Sequence, residues 1–407
     1  MKNFIVKTKK INIENFCAII FIVTVLLNNS YFFQIQEVYY GMIIFLWIVL
    51  MLKSIPEKIF LSKMMWFYLF CYLSILINDI PVHYNSYSKL SIFIISSSLL
   101  GPFLKTTSLK RFRLAIFNKL MLVNLWICSF SFIFKVVGLH NGYVYNEAVD
   151  NFRPDFAGLY NHSMVLGPMS GIGILFCIYK YYDKFLIKDR LFYIICLFLC
   201  LMSLSNTGSR SAIVGLLAGF IFLIYKIKRG SLSKVFVICF VVISLLILTF
   251  PLYKDSTSFL FEKFSDYKNQ DASLTRSRND LWMNRINEFR DHPLFGVGFG
   301  SARYGDNDLD GNFEPGSSWL VILSTTGTFG LLFFFLGYFY FFLRKLRGFS
   351  LSKKDYFVLS ICLHLSFYMI FEGVVLSAGT LMYCVIWLVF GWCMLIDFPK
   401  KSMNLSK

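Results

Sequence analysis

The sequence predicts an all-α polytopic membrane protein of about twelve transmembrane helices with one large, partly helical loop. Three observations carry that prediction. The 407 residues are 57% hydrophobic, 19% aromatic and only 15% charged, with a mean hydropathy of +0.62, far from soluble composition. Apolar runs long enough to satisfy their backbone as helices inside hydrocarbon recur along the chain. The basic residues, 40 against 23 acidic for a formal charge of +17, are segregated between alternate connections.

The expected spans, in order, are residues 13–28, 38–52, 64–78, 89–104, 114–137, 163–180, 190–206, 210–225, 234–250, 317–343, 356–373 and 378–396. Lysine and arginine orient them. With the N-terminus inside, the cytoplasmic segments hold 27 of the 40 basic residues and the outer segments hold 10. Lys89, Lys119 and Lys135 fall within spans near their ends, where long stems snorkel. Both termini are therefore expected in the cytoplasm. The first span runs into Asn28, Asn29, Ser30 and Tyr31 instead of a small-residue cleavage site, and is expected to be a retained helix. The organisation read from this is 1–250 with nine helices, 251–315 as an extracytoplasmic loop, and 316–407 with three helices and a cytoplasmic tail. All ten cysteines lie in apolar runs and read as small buried residues. Gly215 and Gly219, and Gly167, Gly171 and Gly173, read as sites of close helix packing.

The loop of residues 251–315 is too long to be a mere connection. Ser273 or Asp271 is placed to cap a helix from Leu274 to Arg290, with Leu281, Trp282, Ile286 and Phe289 on its apolar face and Pro293 just beyond. A second outer loop, 138–162, is aromatic and polar.

The chemistry is expected at this outer face. Ser205 to Ala212 form a sharp turn in which Ser209 suits an N-cap, so that the next span opens with unpaired N–H groups, the positive dipole end and Arg210. An arginine in so short an outer turn runs against the positive-inside preference and calls for a reason. Arg278 and Arg285 share a face of the loop helix, while Arg276 and Asp280 look like a surface pair. With no Cys/His cluster or carboxylate cage, neither metal nor cofactor is expected. Two guanidinium forks suit a diphosphate, whose oxygens they bind bidentately. The alternation Gly296, Gly298, Gly300 is not a nucleotide loop, since no strand precedes it and no helix opens directly after it. It reads instead as backbone pressed on a ligand or on the top of the membrane.

Gly208-Ser209-Arg210-Ser211-Ala212 at the head of a span, Arg278 followed by Trp282, the run His292-Pro293-Leu294-Phe295-Gly296-Val297-Gly298-Phe299-Gly300, and Trp319-Leu320 with Gly327 and Gly330, come in that order around one large loop. Together they resemble the superfamily of Wzy-type O-antigen polymerases and O-antigen ligases, chiefly over residues 150–345. The resemblance implies a GT-C-like helical membrane enzyme that moves glycan from undecaprenyl diphosphate on the extracytoplasmic side of the bacterial inner membrane without a metal, with Arg210 and Arg278 on the diphosphate. It also implies a repeat-unit polymerase; a ligase onto lipid A core and, from another class, a flippase for the same lipid-linked oligosaccharide remain alternatives. Many relatives carry a histidine just before the tenth span, and here Gly316 occupies that place. Glu314 is the nearest group able to take its role as proton acceptor, with His292, His162, Asp310 and Glu372 in reserve. Arg153, Arg276 and Arg303 are candidates for phosphate or sugar contact, and Trp282, Trp319, Tyr304 and Tyr145 for sugar stacking. The expected partners are the lipid-linked oligosaccharide, membrane lipid, a chain-length regulator and a flippase. The basic inner loops are accounted for by membrane insertion, so nucleic acid is not among them.

Overall fold

The computed structural model describes residues 12–33, 35–57, 59–62, 64–138, 143–144, 155–183, 186–227, 276–304, 314–346 and 351–395. Among these lie twelve α-helices: α1 Ile13–Asn28, α2 Gln36–Ser54, α3 Met65–Ile77, α4 Ser86–Leu100, α5 Thr107–Val137, α6 Ser163–Asp183, α7 Ile187–Thr207, α8 Arg210–Ile227, α9 Arg276–Asp291, α10 Ser318–Leu346, α11 Lys353–Phe371 and α12 Leu381–Leu395. Eleven correspond to predicted spans, α9 is the loop helix, and the span predicted at 234–250 lies outside the described residues. Six of the helices are long and apolar enough to cross a membrane, and three shorter ones are equally apolar. The protein is an all-α, multi-pass membrane protein. Two pairs of two-residue strands, Phe60–Leu61 with Leu104–Lys105 and Tyr143–Val144 with Asp155–Phe156, only pin connections together.

Local chemistry sets the helix ends. Thr106 accepts the Leu109 amide, and the Glu57 carboxylate takes the Thr107 and Ser108 amides, so the first turn of α5 is capped twice. A Ser352–Asp355 capping box opens α11. The fully buried Arg113 of α5 donates to the carbonyls of Ser98, Leu99 and Leu104, which places a cation at the carbonyl end of α4.

At the centre stands α6, whose apolar stretch is 89% buried, against 28% for the peripheral α2. It packs on α5, α7, α8 and α11. Its glycines allow this, as predicted: a Cβ on Gly167 would lie 2.9 Å from the Ser209 side chain, and one on Gly171 would lie 2.7 Å from the His364 ring. Pro168 denies α6 the hydrogen bond that the Met164 carbonyl would otherwise receive. Tyr368 of α11 donates to that carbonyl at 2.6 Å, and His364, one turn earlier, pairs with the Pro168 carbonyl at 3.0 Å. A broken ladder within hydrocarbon is thus resatisfied by a neighbouring helix. Cys17, Cys71, Cys128, Cys177, Cys196, Cys200, Cys362 and Cys384 are free and buried, in keeping with the sequence reading.

Candidate active site

Helix α7 ends in Gly208, left-handed at φ 63°, and α8 begins two residues later. Ser209 is the N-cap: its carbonyl accepts the Ile213 amide and its hydroxyl the Ala212 amide at 3.4 Å. Half-buried Arg210 therefore stands on the first residue of a helix whose positive end faces the head of the bundle.

Arg278 comes to the same place from α9. Leu281 and Trp282 dock that helix on the segment before α10: Trp282 donates its indole N–H to the Gly316 carbonyl at 3.3 Å, and Leu281 packs against Gly316, which is left-handed at φ 70°. One turn before Trp282, the Arg278 fork is held at both tips. Nη1 lies 2.8 Å from Glu314 Oε1, and Nη2 lies 3.0 Å from Glu372 Oε1. Glu372 immediately follows α11, and the Ser211 side chain lies close enough to its carboxylate to lower its pKa. Ser211 adjoins Arg210. The predicted anion turn and the predicted loop arginine are thereby brought beside one buried carboxylate.

The two carboxylates differ physically. The Glu314 side chain is 60% exposed, and such a pair contributes about 0–1 kcal/mol. That of Glu372 is 10% exposed, and removing one partner of a buried pair costs about 3–5 kcal/mol. Burial pushes the Glu372 carboxyl up to about 7 against the lowering pull of Arg278; Glu314 adds to the rise, and the neighbouring Ser211 opposes it. The backbone there is equally fixed. Ser318 donates its amide and hydroxyl to the Glu372 carbonyl, and its oxygen accepts the Val374 and Val375 amides.

Beside this cluster the run of 292–304 enters the bundle. The tenth predicted span is one helix by length but is interrupted at Gly327, where the backbone turns to φ 67°, ψ −167°. That break is nine residues beyond Ser318, or ~14 Å along the axis. The carbonyls of Ser324 and Thr325 accept the amides of Val297 and Gly298, while the amides of Thr328 and Phe329 donate to Pro293 and Leu294. The helix and the re-entrant segment complete one another, as irregular backbone at membrane depth requires. The alternating glycines press on this helix break. A Cβ on Gly296 would lie 2.4 Å from the Thr325 carbonyl carbon, and one on Gly327 would lie 2.3 Å from the Leu294 carbonyl. Asn78 and Tyr84 brace the segment through the carbonyls of Gly296 and Ala302.

Arg285 shares the Arg278 face, as its spacing predicts, but it is committed elsewhere. It is buried with Glu288, their charged atoms 2.9 Å apart, and donates to the Tyr304 carbonyl; Glu288 accepts the Arg303 and Tyr304 amides. Of the other candidates, Arg303 and Tyr304 are exposed near this corner, and Tyr304 donates to Asp291. Burial and the neighbouring Arg303 lower the pKa of His292, with Asp291 opposing. His162 accepts the Met164 amide at the start of α6. Trp319 spends its N–H on the Ser366 carbonyl and stacks on Phe335, the arrangement of a packing residue. Arg276 opens α9. Arg153, Tyr145, Asp310, Asp271 and Ser273 lie outside the described residues.

Residues 195–335, from α7 through the Arg210 turn, α9 and the Gly327 break, match the family model described as O-antigen ligase. An O-antigen polymerase of Salmonella muenchen is 24% identical over 178 residues, 43% of this chain and 43% of that protein. Both matches are to the superfamily of Wzy-type O-antigen polymerases and O-antigen ligases, which the matched region resembles. The chain thus spans less than half the length of that curated relative. The matched region contains Arg210, Arg278, Glu314 and Gly327, while Glu372 lies beyond it. Sequence reading held Glu372 only in reserve, because nothing in a linear pattern ties the end of α11 to α9.

Proposed function

We propose that the protein is a polysaccharide repeat-unit polymerase, moving the growing glycan from undecaprenyl diphosphate to the non-reducing end of an incoming lipid-linked repeat unit. The supporting observation is the linked set Glu372–Arg278–Glu314 with Ser211 beside Glu372, which gathers two arginine-bearing elements at one end of the bundle. The acceptor hydroxyl oxygen attacks the anomeric carbon, the bond from that carbon to phosphate oxygen breaks, and the diphosphate leaves with the electron pair. Arg210 and Arg278 stabilise the charge gathering on the leaving group. Glu314 takes the hydroxyl proton. Arg153, Arg276 and Arg303 are candidates for contact with phosphate or sugar. The basic inner segments support an inner-membrane setting with both termini cytoplasmic and this face outside. A flippase delivering repeat units and a chain-length regulator are the partners such an activity requires.

The test is reconstitution. Purified protein in proteoliposomes is supplied with undecaprenyl-diphosphate-linked repeat units, with and without lipid A core. Lengthened glycan on the carrier is the expected product. Transfer only onto core lipid would make the protein a ligase, and relocation across the bilayer without a new bond would make it a transporter.

A further inference from the structure

Arg278 is not presented to solvent as an open cation. Both tips of its fork are occupied by carboxylates that differ in burial, anchoring and exchangeability. We infer that Glu314 is a resident counter-ion that the donor's diphosphate displaces from Nη1 of Arg278, while Glu372 keeps Nη2 and so positions the guanidinium for the exchange. This deepens the polymerase reading and rests on it, since it takes the ligand of Arg278 to be a lipid diphosphate.

The asymmetry decides which carboxylate yields. Glu314 is itself exposed, four residues ahead of α10, and its contact with Arg278 is a single bond at 2.8 Å in a largely solvated setting. A more highly charged anion replaces such a partner readily, because both carboxylate and diphosphate address the same N–H group. Glu372 is walled in. Its side chain is 10% exposed, and its backbone is fastened to the amide and hydroxyl of Ser318. Leaving it alone in a buried site is the costly outcome, so it stays with Arg278. Held at one tip, the fork can turn only its other tip to the ligand. The exchange also releases the Glu314 carboxylate next to the donor, where the acceptor hydroxyl must arrive. Glu314 would thus guard the anion site when it is empty and become available as proton acceptor once the site is filled.

The experiment is calorimetric titration of undecaprenyl diphosphate into the full-length protein in nanodiscs, with undecaprenol as the uncharged control. Glu314→Gln removes the competing charge and is expected to tighten diphosphate binding about threefold while lowering polymerisation turnover. Glu372→Gln is expected to weaken binding about tenfold or more, and Glu372→Asp to recover part of that loss. Weaker or unchanged binding in Glu314→Gln overturns the exchange; because that side chain is exposed, this arm does not depend on whether the Glu372 variants fold. Unchanged binding in a folded Glu372→Gln overturns the positioning role. Wild-type protein that binds undecaprenol as well as it binds the diphosphate overturns the anion site itself, and with it the donor assignment.

Discussion

Glu372 meets Arg278 across 94 residues of sequence, carboxylate to guanidinium at 3.0 Å, at the point where α11 ends and α9 passes over it. The same carboxylate has Ser211, at the head of α8, as a neighbour that lowers its pKa. Its ionisation state therefore governs how firmly the site is assembled.

That gives a pH dependence with a definite sign. The folded carboxyl is raised from an ordinary 4.5 to about 7, so it takes up a proton as pH falls through about 7 and then ceases to be an anionic partner for Arg278. Glycan polymerisation in proteoliposomes should fall as pH drops from 8 to 6, and the corresponding step should be missing from the residual activity of Glu372→Gln. Stability moves the other way. Between 4.5 and 7 the folded state holds a proton that the unfolded state has lost, so this group's contribution is fully present below 4.5 and declines as pH rises. A wild-type profile that is flat across this range would remove Glu372 from the assembly of the site.

Arg210 offers a test of geometry at constant charge. Lysine keeps the positive charge at the first residue of α8 but not the planar fork. Losing one charge-assisted hydrogen bond costs about 1.5–3 kcal/mol, so Arg210→Lys should retain only ~1–10% of the polymerisation rate while inserting normally. Near-normal glycan length with this variant would count against a diphosphate contact at Arg210.

The buried pair on α9 makes a separate prediction about folding. Arg285 and Glu288 hold the 303–304 corner, and a single change such as Arg285→Met leaves a buried carboxylate without its cation. We expect a loss of about 3–5 kcal/mol, read as a lowered unfolding temperature in detergent. The double variant Arg285→Met/Glu288→Gln, which keeps an acceptor for the Arg303 amide, should be more stable than Arg285→Met alone. Strict additivity of the two changes would show that they do not act as a pair.

The helices were readable because membrane insertion imposes its rules residue by residue. The predicted 13–28 coincides with α1, the predicted 114–137 shares its C-terminal end with α5 though that helix begins two turns earlier at Thr107, and the Ser209 cap needed only a polar residue ahead of an apolar run. What escaped the sequence depends on partners distant along it. Arg285 looks like another loop arginine until Glu288 is seen buried beside it. Glu372 looks like the polar end of a span. The interruption of α10 carries no proline, and Gly327 signals it only when the carbonyls of Ser324 and Thr325 are seen bonded to Val297 and Gly298.

That interruption makes the sharpest structural prediction. At Gly327 the backbone, φ 67° and ψ −167°, lies in a region essentially reserved for glycine, which alone costs a substituted residue about 1–3 kcal/mol, and the added methyl would lie 2.3 Å from the Leu294 carbonyl, a group that cannot rotate away. Gly296 faces the mirror situation, with φ 72° and the Thr325 backbone 2.4 Å from its would-be methyl. To admit either methyl, the 293–298 segment must leave the helix break, and four backbone hydrogen bonds at membrane depth then lose their partners. Gly327→Ala and Gly296→Ala should each cost at least ~3 kcal/mol and expose the chain near Gly298 to protease, whereas Gly41→Ala, with open space around its Cβ, should do neither. Alanine at 296 or 327 with unaltered thermal stability and unaltered proteolysis would mean that the re-entrant segment is not locked to α10.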